Sequence, residues 1–344
     1  MANPRSQVRG APTAQVEAEP VTTQPRDQPA VLILAYNRTD ELKQVLQAVV
    51  EQGPARIYVS VDGPKAAPEE DVARVAAVRE AIRALQETYA IQTRFAETNG
   101  GVLEGVLEGI DWFFSQENRG IVLEDDVVIA PDSLALAWSL LEELQPSPQV
   151  GSISLFNPVP RSRLSQPDTS VRLSALPSSQ FWASWSDRWS ATRPLRSHSP
   201  VEQTQVMGAL ASIPDPRLRR FWLDHLTNSG EDWQCWEDLW ILTHWIHGWS
   251  AAYTNGNFSR HIGFNRDATN SWDEPSWYPT QYDETKPYFS AGADPEPDAS
   301  ADAWYFNQRF GLGNWKRMKR AVWSRMPWLR AFYLSTKRQL VNTR

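Results

Sequence analysis

Short apolar runs alternate with amphipathic stretches through the first half of the chain. Ala30 to Ala35 (AVLILA), Arg56 to Val61 (RIYVSV), Ile91 to Phe95, Gly120 to Leu123 and Val150 to Phe156 read as strands. Runs this continuously apolar suit a parallel sheet covered on both faces. Between the first two, Leu42, Val45, Leu46, Val49 and Val50 fall on one helical face, with Thr39 as the expected N-cap and Asp40 and Glu41 in the first turn. A second helix is expected to turn Val72, Val75, Ile82 and Leu85 inward, a third to cover residues 102–116, and a fourth to run from about Pro131 to Leu144. This β-α alternation, repeating at roughly 30 residues, predicts an α/β fold with a mostly parallel sheet flanked by helices. Right-handed crossovers then bring the carboxyl ends of the strands to one edge of the sheet, where ligands bind in such folds. Those ends carry Asn37-Arg38, Asp62, Glu97 to Asn99, and Glu124-Asp125-Asp126.

The second half is less regular. A tryptophan-rich stretch from Phe181 to Trp189 precedes an expected helix near Asp215 to Leu226, a Trp- and acid-dense segment from Trp233 to His247, and a strand over Trp249 to Asn255. Residues 257–270 read as a polar loop and 271–302 as loop-like, rich in Pro, Asp and Tyr. Residues 1–28 lack periodicity and read as a disordered leader.

Composition narrows the class. The chain has 344 residues, a net charge of −7 and one cysteine, Cys235, so it argues mildly against a nucleic-acid partner and allows no internal disulfide. No apolar run reaches membrane-spanning length and no signal-peptide core opens the chain, so a cytoplasmic protein is expected. Charge is unevenly spread, since ten basic and no acidic residues follow from Arg309 onward, leaving about −17 before it. The basic residues of 315–338 are interleaved with Trp315, Trp323, Trp328, Phe332 and Tyr333, which suits either a helical anchor on an anionic inner-membrane surface or a helix held by the acidic body. Seventeen tryptophans supply apolar faces for core or sugar alike.

The candidate chemistry centres on Glu124-Asp125-Asp126, which follows directly on a buried strand. Three adjacent carboxylates repel one another unless a cation joins them. A solvated acidic turn is the plainer alternative. There is no G-x-G-x-x-G after the first strand and no G-x-x-x-x-G-K-[ST], so dinucleotide-binding and P-loop readings lose their usual support.

Several stretches in order, VLILAYNRTDEL (31–42), VSVDGPK (59–65), GIDWFF (109–114), GIVLEDDVVIAP (120–131), WASWSDRW (182–189), WEDLW (236–240) and SRHIGFNRDAT (259–269), resemble the nucleotide-sugar-dependent glycosyltransferases of the GT-A fold. More narrowly, the chain is similar to bacterial family 2-like, hemolytic-protein-like members, themselves distantly similar to the N-acetylglucosaminyltransferase I group. The resemblance implies a hexosyl- or N-acetylhexosaminyltransferase of polysaccharide biosynthesis, UDP-sugar by default, with a glycan or lipid-linked acceptor. It divides the chain into a nucleotide-sugar-binding half (29–157), an acceptor and catalytic half (158–305) and a basic tail (306–344). It further implies Mn²⁺ or Mg²⁺ on Asp126, with Glu124 and Asp125 on donor sugar, ribose or water, Asp62 accepting from the base, and Arg38 facing the nucleotide. Ser259 and Arg260 would meet the donor phosphates and His261 would join them or the metal, although a structural histidine is the plainer reading; Asp267 to Thr269 would order that loop. The base that takes the acceptor proton, if transfer inverts, would be Glu237 or Asp238, which a helix points about 100° apart, with Glu231-Asp232 a third option. Trp182, Trp185 and Trp189 would stack on sugar or pack the core. A sugar-phosphate nucleotidyltransferase and a non-catalytic carbohydrate- or nucleotide-binding protein are the competing classes. The first is disfavoured because Tyr36 to Thr39 offers no Gly-rich phosphate loop.

Overall fold

The computed structural model describes residues 28–54, 56–197, 199–228, 233, 235–264, 275–283 and 295–312. The expected leader, Glu231-Asp232, Asp267 to Thr269 and nearly all of the basic tail lie outside the described residues.

The apolar runs form the sheet predicted for them. Strands β1 (Ala30–Ala35), β2 (Arg56–Val61), β3 (Ile91–Phe95) and β4 (Arg119–Glu124) are mutually parallel, with β1 between β2 and β4 and β3 at the edge. All six residues of β1 are buried, as a central strand covered on both faces requires. Beyond β4 the sheet continues with β8 (Trp182–Trp185), β6 (Val150–Ser154), β9 (Ser250–Thr254) and β7 (Val171–Ser174). Strand β8 runs antiparallel to both β4 and β6, β6 and β9 are parallel, and β7 is antiparallel to β9. The result is an eight-stranded, mostly parallel sheet. A separate pair joins β5 (Val127–Ile129) to β10 (Ser259–His261), so the expected loop at 257–270 contains a strand.

Alternation along the strands builds two cores. Val31, Ile33 and Val59 face a layer with α1 (Thr39–Val50), α2 (Glu69–Gln86) and α4 (Ser133–Leu144). Leu32, Leu34 and Tyr58 face the other, which holds α3 (Gly101–Gln116), α5 (Ser186–Ser190), α6 (Pro200–Ser212), α7 (Pro216–Asn228), α8 (Trp236–His247) and α9 (Ala299–Phe310). In that second core Trp182, Trp189, Trp236 and Trp240 sit with ring centroids 5.4 to 6.3 Å apart. Trp182, Trp185 and Trp189 are all buried in the core, so none presents a face to a sugar.

Two local expectations are corrected. Thr39 is the first helical residue of α1 rather than its cap; Arg38 holds the cap position without a side-chain bond. On α2, Val72 is 46% exposed and the inward position goes to Asp71, whose carboxylate is engaged by the strand-end loops. Among the described residues, no helix is long and apolar enough to cross a membrane.

Candidate functional site

Where the parallel strands end, their loops surround a cavity of about 450 Å³. Tyr36, Asn37 and Arg38 come from the end of β1, Asp62 from β2, and Glu124, Asp125 and Asp126 from β4. Glu237 at the start of α8, Trp277, Tyr278, Arg309 of α9, His261 and Gly263 complete the lining. This is the strand-carboxyl edge at which an α/β sheet takes its ligand.

The first loop is fixed from below. Asp71 accepts from Tyr36 Oη at 2.5 Å, Asn37 Nδ2 at 2.7 Å and the Lys65 backbone N–H at 2.7 Å. Burial works to raise this carboxyl, but the donors around it hold it below the usual carboxylate range. The anchored loop then delivers Tyr36 N–H to Asp125 Oδ2 at 3.0 Å and the Arg38 guanidinium to Asp126 Oδ2.

Asp62 is held as firmly, and by protein alone. Its Oδ1 accepts from the backbone N–H of Gly63 and Gly100, and its Oδ2 from Asn99 Nδ2 and the Gly101 N–H, all at 2.8 to 3.0 Å. A carboxylate offers about four lone-pair sites, so these are filled. The residue lines the cavity, but its carboxylate is spent on tying the start of α3 to β2. Glycines four apart let α3 come that close. A Cβ on Gly105 would lie 2.8 Å from the Asp62 carboxylate, and one on Gly109 would lie 2.8 Å from Ser60 Oγ. We expect Gly105→Ala to lower stability by about 1–3 kcal/mol, the usual cost of overpacking, read as a fall in urea midpoint at unchanged slope.

The acidic triad is crowded. Asp125 and Asp126 are buried. Burial, and then the charge of Asp126, push the Asp125 carboxyl up to about 7. Glu124 is raised well above the usual range by burial and by Asp126, Glu237 and Asp125 together. Four carboxylates thus line one cavity, and the charges around Glu124 and Asp125 penalise the ionisation of those two, with Arg38 as a partial offset. Asp126 Oδ1 is buried without a hydrogen-bond partner, while Arg38 holds Oδ2 and His261 Nε2 lies 3.4 Å from Oδ1. A buried carboxylate oxygen that accepts no hydrogen bond is costly unless something joins it, and a hard divalent cation fits that oxygen donor. Among the described residues no group of three or more His, Cys, Asp or Glu side chains is arranged to hold a metal. A cation on Asp126 would therefore draw its remaining ligands from bound substrate and water. Gly263 leaves the room required, since a Cβ there would collide with Asp126 Oδ2 and Arg38 Nη1.

Adjacent acids of α8 part company. Glu237 lines the cavity and pairs with Arg309 at 2.9 Å, whereas Asp238 turns to His225 of α7, whose Nε2 lies 2.8 Å from its Oδ2. Ser259 and Arg260 also stay outside the cavity lining: Ser259, the first residue of β10, is buried, and Arg260 is exposed on the opposite side of the strand from His261. Alternation turns Arg260 away from His261, and Ser259, on the His261 side of the strand, is covered, so of that motif His261 alone lines the cavity. Of the sequence candidates, Arg38, Asp62, Glu124, Asp125, Asp126, Glu237 and His261 meet around it. Tyr278, Trp277, Gln180 and Arg309 were not anticipated, and no spacing pattern marks them.

Residues 25–276 match a sequence profile described as glycosyltransferase-like family 2. Curated proteins give no match. Among solved structures, the mannosyltransferase PcManGT from Pyrobaculum calidifontis, in complex with GDP-Man and Mn²⁺, is 14% identical over 64% of this chain and 70% of its own, with a TM-score of 0.36. HddC from Yersinia pseudotuberculosis is 15% identical over 33% of this chain and 55% of its own, with a TM-score of 0.23. Both likenesses are too distant to assign a role to any residue here. The family profile, by contrast, spans well over half of the 344 residues, and the chain belongs to glycosyltransferase-like family 2.

Proposed function

We propose that the protein transfers a sugar from a nucleoside-diphosphate sugar to a hydroxyl-bearing acceptor in this cavity, with Mn²⁺ or Mg²⁺ on Asp126. The observation that carries the reading is the buried, hydrogen-bond-free Oδ1 of Asp126, at the strand edge where the loops converge. A cation held there would supply positive charge to the diphosphate as it leaves. Arg38, anchored beside Asp126, adds a second positive group on the same side, suited to phosphate oxygens. Glu124 and Asp125 offer acceptors to sugar or ribose hydroxyls.

Glu237 is the base that takes the acceptor proton, and attack on the face opposite the leaving diphosphate inverts the anomeric centre. Asp238 serves its helix contact instead. The donor is a UDP-sugar by the family resemblance, the transferred group a hexose or N-acetylhexosamine, and the acceptor a glycan or lipid-linked glycan. The basic, aromatic stretch after residue 314 would bring the enzyme to an anionic membrane carrying such an acceptor.

Titrating UDP-, GDP- and dTDP-sugars into the full chain by calorimetry, with and without Mn²⁺, tests the reading. At least one should bind at least ten times more tightly with the metal. Absence of metal-dependent binding across the panel would overturn it.

A further inference from the structure

Arg309 lies on α9, beyond residue 276 where the family match ends, yet it lines the cavity. Its Nη2 donates to Glu237 Oε2 at 2.9 Å, and the described residues make no hydrogen bond to Oε1. The two side chains are 22% and 29% exposed, so the pair sits at the cavity wall and not out in solvent. Burial works against the charged guanidinium, but the Glu237 carboxylate outweighs it and keeps Arg309 protonated.

The helix that carries Arg309 is fixed by bonds of its own. Asp298 caps it, accepting from Ala301 N–H at 2.9 Å while also holding Ser165 N–H at 2.7 Å and Ser165 Oγ at 2.8 Å. Asp302 accepts from Ser174 Oγ at 2.6 Å and Ala175 N–H at 2.9 Å, at the end of β7. Tyr305 and Phe306 bury against the second core. Arg309 is thus delivered to the cavity by an anchored element, and its bond to Glu237 is not what holds α9 in place.

Resting on the transfer reading above, we propose that Arg309 is the positioning residue for the base, holding Glu237 by Oε2 so that Oε1 is presented to the acceptor. In the step served, the acceptor oxygen bonds to the anomeric carbon and its proton passes to Glu237 Oε1. The bond from that carbon to the diphosphate oxygen breaks, and its electron pair leaves with the diphosphate. A glutamate has three side-chain rotors, and fixing one oxygen removes freedom that would otherwise be lost on reaching the transition state. The guanidinium also sets one positive charge beside the base, in a cavity that the acidic triad otherwise makes negative.

The test uses the full chain, Mn²⁺ and UDP-glucose, UDP-N-acetylglucosamine, GDP-mannose and dTDP-glucose, carrying forward whichever shows metal-dependent heat. Water serves as the acceptor, and release of free nucleoside diphosphate is the readout. Arg309→Met should lower kcat about 10- to 100-fold while the donor Kd stays within about twofold, and Arg309→Lys should restore part of the loss. Introduced into Glu237→Gln, Arg309→Met should cost nothing further, because its effect passes through the base. Thermal unfolding of each variant checks that α9 remains docked. A kcat within about twofold of the parent, an equal loss in the Glu237→Gln background, or a weakened donor Kd with kcat retained would each overturn the role. If these occur while the parent chain binds and turns over its donor, the transfer reading stands and only the Arg309 role falls. A parent chain that binds no nucleotide sugar overturns both.

Discussion

Asp126→Asn is expected to abolish the Mn²⁺-dependent part of nucleotide-sugar binding and to slow transfer by about 10²- to 10³-fold. The size follows from the task assigned to the residue. A cation that offsets charge on a leaving diphosphate contributes several kcal/mol, and each 1.36 kcal/mol is about tenfold in rate. Asparagine preserves the volume of the side chain and keeps an oxygen for Arg38, but it withdraws the charge and the second carboxylate oxygen. The oxygen that matters is Oδ1, which has no hydrogen bond to lose. Stability should therefore change less than in Asp126→Ala, which would leave the Arg38 guanidinium, only 15% exposed, without its partner. Calorimetry with and without Mn²⁺, alongside the Mn²⁺ paramagnetic resonance signal of the free ion, measures the binding arm. Retained metal dependence in Asp126→Asn would remove Asp126 from the metal. Asp125→Asn is the contrast, since Asp125 Oδ2 is already occupied by the Tyr36 N–H and its loss should disturb the loop more than the ion.

The first half of the fold was legible because its signals are local. Continuous apolar runs that end in polar residues specify strands β1 to β4, and their spacing leaves room for one helix each, so the edge carrying Glu124 to Asp126 could be placed without coordinates. In the second half β9 and α7 were legible too, but β7 and β8 were not, because those strands are defined by their neighbours. Four-residue β8 gains its identity from lying between β4 and β6, and β7 from its place beside β9. Helix α6 did carry a local mark in Ser199 and Glu202, a capping box realised in the structure, that periodicity alone passed over.

Within the site, sequence order found the residues that follow a strand and misjudged those whose role depends on what meets them. Asp62 looked available to a ligand, yet Asn99, Gly100 and Gly101 arrive from another loop and fill it. The sequence left the tryptophans to core or sugar, and burial gives them to the core, with Trp182 and Trp189 packed on one another. Arg309 carried no signal, because the feature that marks it is an ion pair made across 72 residues. Burial and pairing decide these cases, and neither is local.

Glu237→Gln is expected to lower kcat by about 10²- to 10⁴-fold, the usual contribution of a positioned general base, and to leave donor Kd and its Mn²⁺ dependence within about twofold. Glutamine keeps an oxygen toward Arg309 but accepts no proton from an incoming hydroxyl at neutral pH. The neighbouring acid supplies the control. Asp238 is bonded to His225, and that hydrogen bond raises the histidine above its ordinary value of 6.5. A raised folded-state value means that the pair contributes its full stability below about pH 6.5 and loses it as pH rises through the raised value. Asp238→Asn should therefore lower the unfolding midpoint more at pH 6 than at pH 9 and spare the rate of the folded enzyme. The two variants thus separate roles that adjacent positions in the sequence could not: one takes away proton transfer, the other a pH-dependent contact between α7 and α8. If Asp238→Asn instead loses the rate and Glu237→Gln keeps it, the base is Asp238, and the cavity must rearrange around α8 when substrate binds.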